Sequence, residues 1–445
     1  MKDLPDLAAQ LVDRAIKAGA DAADALALRG EDQSIAVRGG RLEQAGRSEG
    51  VDFGVRVLIG GRQACASASD PRPDVVAALV ERAIAMAREA PEDPWCGLPD
   101  ASELGAPPDV GALALQADAP APSPAQLQAL AREAEAAALS VPGVAQVDGA
   151  EAAYGRTELA MAASNGFAGA YARTTASLSV SAIAADDAGM EADYDYAVRR
   201  ALAELPPAER IGREAGLRAA RRLGARKAPA GAAPVVFDRR VAPSLIGHLL
   251  AAANGAAVAR GASWLLGRMD TPVLPAWVAL TEDPHLPGGP ASRPFDGEGV
   301  ATQASPIVSE GVLRRWLLDC ASARQLGLRT TANARRGVAG PPSPGFSNVR
   351  MTPGAAAPEA LIAGVERGLF VTAMLGASVN PTTGDYSRGA AGFWIENGEL
   401  AYPVAEATIA GRLPDVLPTI VAANDPDPFV ALSVPTLRVE GLVVA

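Results

Sequence analysis

The sequence predicts an α+β fold in two domains. Residues 1–228 form an N-terminal α/β domain, a sheet with flanking helices, and residues 234–445 form a β-rich, barrel-like C-terminal domain. Three observations lead there. At 445 residues the chain is too long for one ordinary hydrophobic core. Its first half alternates amphipathic helical runs with strand-like segments, whereas its second half holds many short apolar runs cut by Pro and Gly. Between them, Ala228-Pro-Ala-Gly-Ala-Ala-Pro234 reads as a linker.

Leu4 to Ala18 repeats apolar residues at helical spacing and stops at Gly19. Strand-like runs follow at Ala23–Leu28 and Ser34–Val37, and then a hairpin, Gly50–Leu58 and Arg62–Ala68 around Gly60-Gly61. Asp74 to Ala90 is a second helix with an apolar stripe from Val75 to Met86. Eight prolines then make 91–124 an irregular surface excursion. A helix from Ser123 to Leu139 leads to strands at Val144–Tyr154, Glu158–Ala163 and Ala168–Ala185, the last two joined by Asn165-Gly166. Pro207 to Leu223 is helical. Past the linker, Pro234–Phe237 reads as a strand, and Val241–Ala259, which carries no charge, as one buried helix. Its Pro243, Gly247 and Asn254 argue against a membrane span.

Composition excludes several functions. A net charge of −11 disfavours nucleic acid, whose phosphates need clustered Lys and Arg. Cys65, Cys96 and Cys320 are widely spaced and odd in number, which suits a reducing, cytoplasmic compartment. The acidic N-terminus lacks the apolar core of a secretory signal. The two histidines, His248 and His285, show no zinc-protease spacing. The phosphate-loop patterns do not occur.

Two polar segments remain. Pro294-Phe-Asp-Gly-Glu-Gly-Val300 sets Asp296 and Glu298 between glycines, the composition of a solvated turn. Gly384 to Gly389 is a glycine-lined polar loop carrying Asp385, Tyr386, Ser387 and Arg388. It abuts a hairpin of Phe393-Trp394-Ile395, the turn Asn397-Gly398 and the return run Leu400–Val404.

The run Asn380 to Val404 resembles the C-terminal signature of the TldD/PmbA family, in its PmbA (TldE) branch. The likeness continues through Ala407-Thr-Ile-Ala-Gly-Arg-Leu413, Pro294 to Val300, Gly311-Val-Leu-Arg-Arg-Trp-Leu-Leu318, Gly54-Val-Arg56 and Asp93-Pro-Trp-Cys-Gly-Leu-Pro-Asp100. It therefore spans essentially the whole chain. The resemblance implies a two-domain subunit of a TldD–TldE heterodimer, a cytoplasmic zinc metalloprotease that trims unfolded polypeptides, including peptide-antibiotic precursors and some antitoxins. In that family the TldD subunit carries a His-Glu-x-x-x-His helix and a later Cys.

In this sequence His248 matches the second histidine of that motif, but Pro243 stands for the first and Ser244 for the Glu. The tail after Asp425 has no Cys. The resemblance thus implies a chain without catalytic residues, metal or cofactor of its own, the zinc being expected in a TldD-like partner. Asp385, Tyr386, Ser387, Arg388, Phe393, Trp394 and His248 are the expected contacts with peptide or partner, an unfolded peptide being held as an added strand. Two other readings stay open: an independent metal-dependent peptidase using His248 and His285, and a homodimeric peptide-binding regulator.

Overall fold

A computed structural model describes residues 3–187 and 189–445. The fold is α+β, with a barrel-like sheet in the C-terminal half as expected. Helix α1 (Leu4–Lys17) buries Leu4, Leu7, Leu11 and Ala15, the stripe its spacing required. The first sheet is fully antiparallel, with β1 (Ala22–Arg38), β2 (Arg41–Ile59), β3 (Arg62–Ala68), β4 (Val144–Ala163), β5 (Ala168–Asp186) and β6 (Gly189–Arg199) in the order β3-β2-β1-β4-β5-β6. Helices α1 and α2 (Pro73–Glu89) cover one end of one face. Helices α3 (Pro124–Leu139) and α4 (Ala208–Arg221) cover the other end. Ser123 and Gln126 form a capping box that starts α3. Glycine lets α4 approach α3 closely: a Cβ at Gly212 would sit 1.9 Å from the Ala134 carbonyl oxygen.

Period-two alternation decides what the sheet shows on its two faces. Ala23, Ala25 and Ala27 of β1, with Phe53, Val55 and Val57 of β2, pack under α1 and α2. Asp24 and Leu26, with Gly54 and Arg56, point the other way, toward the C-terminal half.

The C-terminal half is built around a closed ring of five strands. These are β7 (Gly231–Phe237), β8 (Arg367–Val379), β9 (Asp385–Glu396), β10 (Glu399–Arg412) and β11 (Leu437–Val444). Strand β7 runs parallel to β8 and antiparallel to β11, and pairing of Ile409 with Val444 closes the ring between β10 and β11. Short strands at Leu280–Glu282, Ser305–Ser309, Val312–Leu313, Val349–Met351 and Leu432–Ser433 form a second small sheet. Helix α5 (Ala242–Ala252) packs into the large core shared by both.

Three expectations need correction. The uncharged run is two helices. Asn254 caps a new turn by accepting from the amides of Ala256 and Ala257, so α6 (Gly255–Ala259) starts afresh. The split runs at 23–37 and 144–163 are single strands, β1 and β4. The polar loop ends at Gly384, because Asp385 to Gly389 already pairs with Thr408 to Arg412 as strand. The Asn397-Gly398 turn forms with φ of 53° and 78°, as a two-residue hairpin requires. Among the described residues, no helix is long and apolar enough to cross a membrane.

Candidate functional site

Because Asp385 to Arg388 is strand, its side chains alternate. Tyr386 points into the core and Arg388 is half-buried on the same face, while Asp385 and Ser387 are exposed on the other. Behind that face lies α5. The His248 ring meets the Tyr386 ring edge-on, with centroids 5.8 Å apart at 67°. Three buried polar atoms converge on this wall without a protein hydrogen-bond partner: His248 Nε2, the Tyr386 hydroxyl and Arg388 Nε. These three atoms are therefore available to accept a hydrogen bond from a polar group or to donate one to it. Burial first, and the Arg388 charge second, push the His248 imidazole below its ordinary range. Burial likewise pushes the Tyr386 phenol up. The wall therefore offers a neutral imidazole, a neutral phenol and a guanidinium.

The remaining expected contacts lie apart from this wall. Asp385 accepts from Thr383 at 2.5 Å and faces Arg412 at 3.5 Å, on the outer side. Trp394 is core, with its indole N–H unpartnered. Phe393 lines a separate cleft of 600 Å³ with Phe370, Tyr402, Arg218 and Arg240. The seven residues thus divide over at least three locations, with His248, Tyr386 and Arg388 together.

The donor set on α5 does not fit the zinc centre that the resemblance places in a TldD subunit. Pro243 lies in the first turn and offers no ligand atom. Ser244 donates its hydroxyl back to the Val241 carbonyl at 2.7 Å and lies against the Met374 sulfur. His285 is engaged by the Thr302 hydroxyl at 3.0 Å. Among the described residues, no group of three or more His, Cys, Asp or Glu is placed to hold a metal ion.

A second constellation was missed from sequence. Asp296 and Glu298 are not in a solvated turn; both are about 2 % exposed. They lie where the C-terminal half meets the face of the first sheet that bears Asp24 and Arg56. Asp296 accepts the amides of Glu298, Val300 and Ala334 at 2.9, 3.0 and 3.0 Å, so its carboxylate organises the loop. Glu298 accepts the Cys320 amide at 2.8 Å. Burial and the neighbouring Asp296 charge push Glu298 up to about 8. Asp24 receives both Arg56, at 2.5 Å, and Arg336. The available signal was a charge in each apolar strand: Asp24 within Ala22–Leu28, and Arg56 within Phe53–Leu58. This arrangement ties the two halves together, and Asp296 and Arg336 border a cavity of 270 Å³ between them.

Three family models divide the chain. They are the PmbA/TldA metallopeptidase domain 1 over residues 23–87, the central domain over 117–223 and the C-terminal domain over 230–445. Metalloprotease PmbA of Escherichia coli is 36% identical over 392 residues, covering 88% of this chain and 85% of that protein. The PmbA homolog of Haemophilus influenzae is 33% identical over 415 residues, covering 93% and 89%. Among solved structures, a Bacteroides thetaiotaomicron protein described as a candidate modulator of DNA gyrase superposes with a TM-score of 0.90 at 28% identity, covering 99% and 98%. TldE from Thermococcus kodakarensis shares the fold, with a TM-score of 0.84 at 22% identity over 99% and 100% of the two chains. With this coverage and identity, the chain belongs to the PmbA/TldD metallopeptidase family as a PmbA-like member.

Proposed function

We propose that this chain is the non-catalytic, TldE/PmbA-like subunit of a TldD–TldE-type zinc metalloprotease that cleaves unfolded peptides. One observation carries the reading: α5 keeps His248 but sets Pro243 and Ser244 where a metal ligand and a general base would be needed. What the helix retains is a binding wall. The unpartnered atoms of His248, Tyr386 and Arg388 suit hydrogen bonds to a peptide or to the partner's active-site rim. The partner, a TldD-like chain bearing His-Glu-x-x-x-His, supplies the zinc and the base. The three free cysteines suit a cytoplasmic setting.

Purification with such a partner tests the reading. Peptidase activity is expected from the mixed complex and not from this chain alone. Zinc-dependent hydrolysis by the isolated chain, lost on His248→Ala, would overturn it in favour of an independent peptidase. The engagement of His285 by Thr302 weighs against that alternative. A homodimer that binds peptide without any partner is the other outcome that would displace it.

A further inference from the structure

An arginine-lined cleft of 610 Å³ lies between the end of β6 and the loops of the C-terminal half. Arg173, Arg199 and Arg200 come from the first sheet and its following turn, Arg350 from the small sheet, and Phe429 from the tail. The chain as a whole carries a net charge of −11, so four guanidiniums around one cavity run against its composition. Among the described residues, only Arg200 has an ion-pair partner inside the cleft, Glu204 at 2.5 Å. The others hold uncharged partners. Arg173 donates to the carbonyls of Pro290 and Ser292 at 2.6 and 2.7 Å. Arg350 donates to the Pro428 carbonyl at 3.4 Å. Arg199 donates to the Val198 carbonyl at 2.7 Å and stacks its guanidinium 3.4 Å from the centre of the Phe429 ring.

Stacking matters because it holds the guanidinium plane rigid without occupying its in-plane donors. Burial first, with the Arg210 charge, lowers the Arg199 guanidinium from its ordinary value against the opposing acids Asp427 and Glu204.

We infer that this cleft binds the carboxylates of an acidic, extended peptide segment. The inference names a substrate class and rests on the peptide-handling reading above. A planar guanidinium pairs bidentately with carboxylate and phosphate alike, and two other features favour a peptide carboxylate. The cleft's Gly288 and Gly289 amides already donate to the Leu113 and Leu286 carbonyls, so they offer no phosphate-cradling nest. Strand β6 is the last of its sheet and its Val198 and Arg199 line the cleft; among the described residues no strand pairs its outer edge, where an extended chain can add.

The test uses the full chain and fluorescent, unstructured Glu/Ser peptides, followed by anisotropy. The Glu/Ser peptide is expected to bind about tenfold more tightly than its Gln/Ser counterpart, as charge-assisted hydrogen bonds imply, and less tightly as salt rises. Arg199→Gln with Arg350→Gln should remove that preference, whereas Arg199→Lys with Arg350→Lys should keep part of it. An unchanged melting temperature certifies each fold. Both peptides are C-terminally amidated, so the preference reports side-chain carboxylates alone. Equal binding of the Glu and Gln peptides, or competition for the cleft by inorganic phosphate with no acidic-peptide binding, overturns it. The subunit reading fails separately: the acidic peptide would still bind a chain that never gains peptidase activity on mixing, and that activity would survive failure of the cleft.

Discussion

Arg336 donates its guanidinium to the carboxylate of Asp24, 312 positions away in sequence, and both side chains are buried. Arg56 reaches the same carboxylate from the neighbouring strand. One acid on the first sheet is thus shared between that sheet and the C-terminal half.

Removing Arg336 should break this junction. Arg336→Met leaves Asp24 with Arg56 alone and is expected to cost about 3 kcal/mol, the lower end for breaking a buried pair. Burial by itself pushes the Asp24 carboxyl up, but Arg336 and then Arg56 reverse this and hold it below its ordinary 3.8. A depressed carboxyl stabilises the fold above its unfolded value and loses that contribution as pH falls through the folded value. The gap in melting temperature between the natural chain and Arg336→Met should therefore narrow as the pH falls toward the acid limit. A constant gap would mean that Arg336 acts by packing alone.

Glu298 has the opposite sign. Burial and Asp296 raise it from 4.5 to about 8, so the fold favours its protonated form. That contribution is complete below 4.5 and is lost as pH rises through about 8. Glu298→Gln keeps an oxygen that can accept from Cys320 and removes the titration. Melting temperature measured across this range should decline on the alkaline side for the natural chain and stay flatter for the variant. Parallel curves would show that Glu298 is ionised throughout.

Much of the fold was legible because its signals are local. The stripe of α1 and the Asn397-Gly398 turn each lie within a few residues. Strand β1 was read as two pieces because Arg29 to Gln33 is polar and partly exposed, beyond the cover of α1 and α2. Strand β6 was missed for a related reason. Its Glu191, Asp193 and Asp195 look like loop residues until Arg222, Arg240 and Arg218 arrive to pair with them at 3.1, 2.8 and 2.7 Å. The site divided in the same way. Period two within β9 separates Tyr386 and Arg388 from Asp385 and Ser387, a distinction hidden once the segment is taken as loop. Asp296 takes the Glu298 and Val300 amides from its own loop, but its third amide comes from Ala334, far along the chain, which no local pattern announces.

Tyr386→Phe separates binding from stability at the α5 wall. The hydroxyl is buried without a protein partner, so its removal should change stability by less than about 1 kcal/mol, the value of an average hydrogen bond. In the mixed complex, a hydroxyl that contacts peptide should instead raise KM about fivefold on removal, with kcat little changed. An unaltered KM would remove Tyr386 from the peptide path.

Gly54 tests how tightly the two halves must meet. A Cβ there would lie 1.8 Å from the Val338 carbonyl oxygen, a backbone atom that no rotamer change can move. Gly50, four positions earlier on β2, has nothing within 4 Å of the same added atom. Both positions are strand, so the loss of backbone freedom is alike and the contact is the difference. Gly54→Ala should therefore destabilise the chain by about 2 kcal/mol, as overpacking does, while Gly50→Ala stays near neutral. If the two halves part instead of straining, Gly54→Ala should also open the Asp24–Arg336 junction. Arg336→Met would then cost less in the Gly54→Ala background than alone, and a double-mutant cycle reads that difference directly. Additive losses would mean that β2 yields locally and the junction holds.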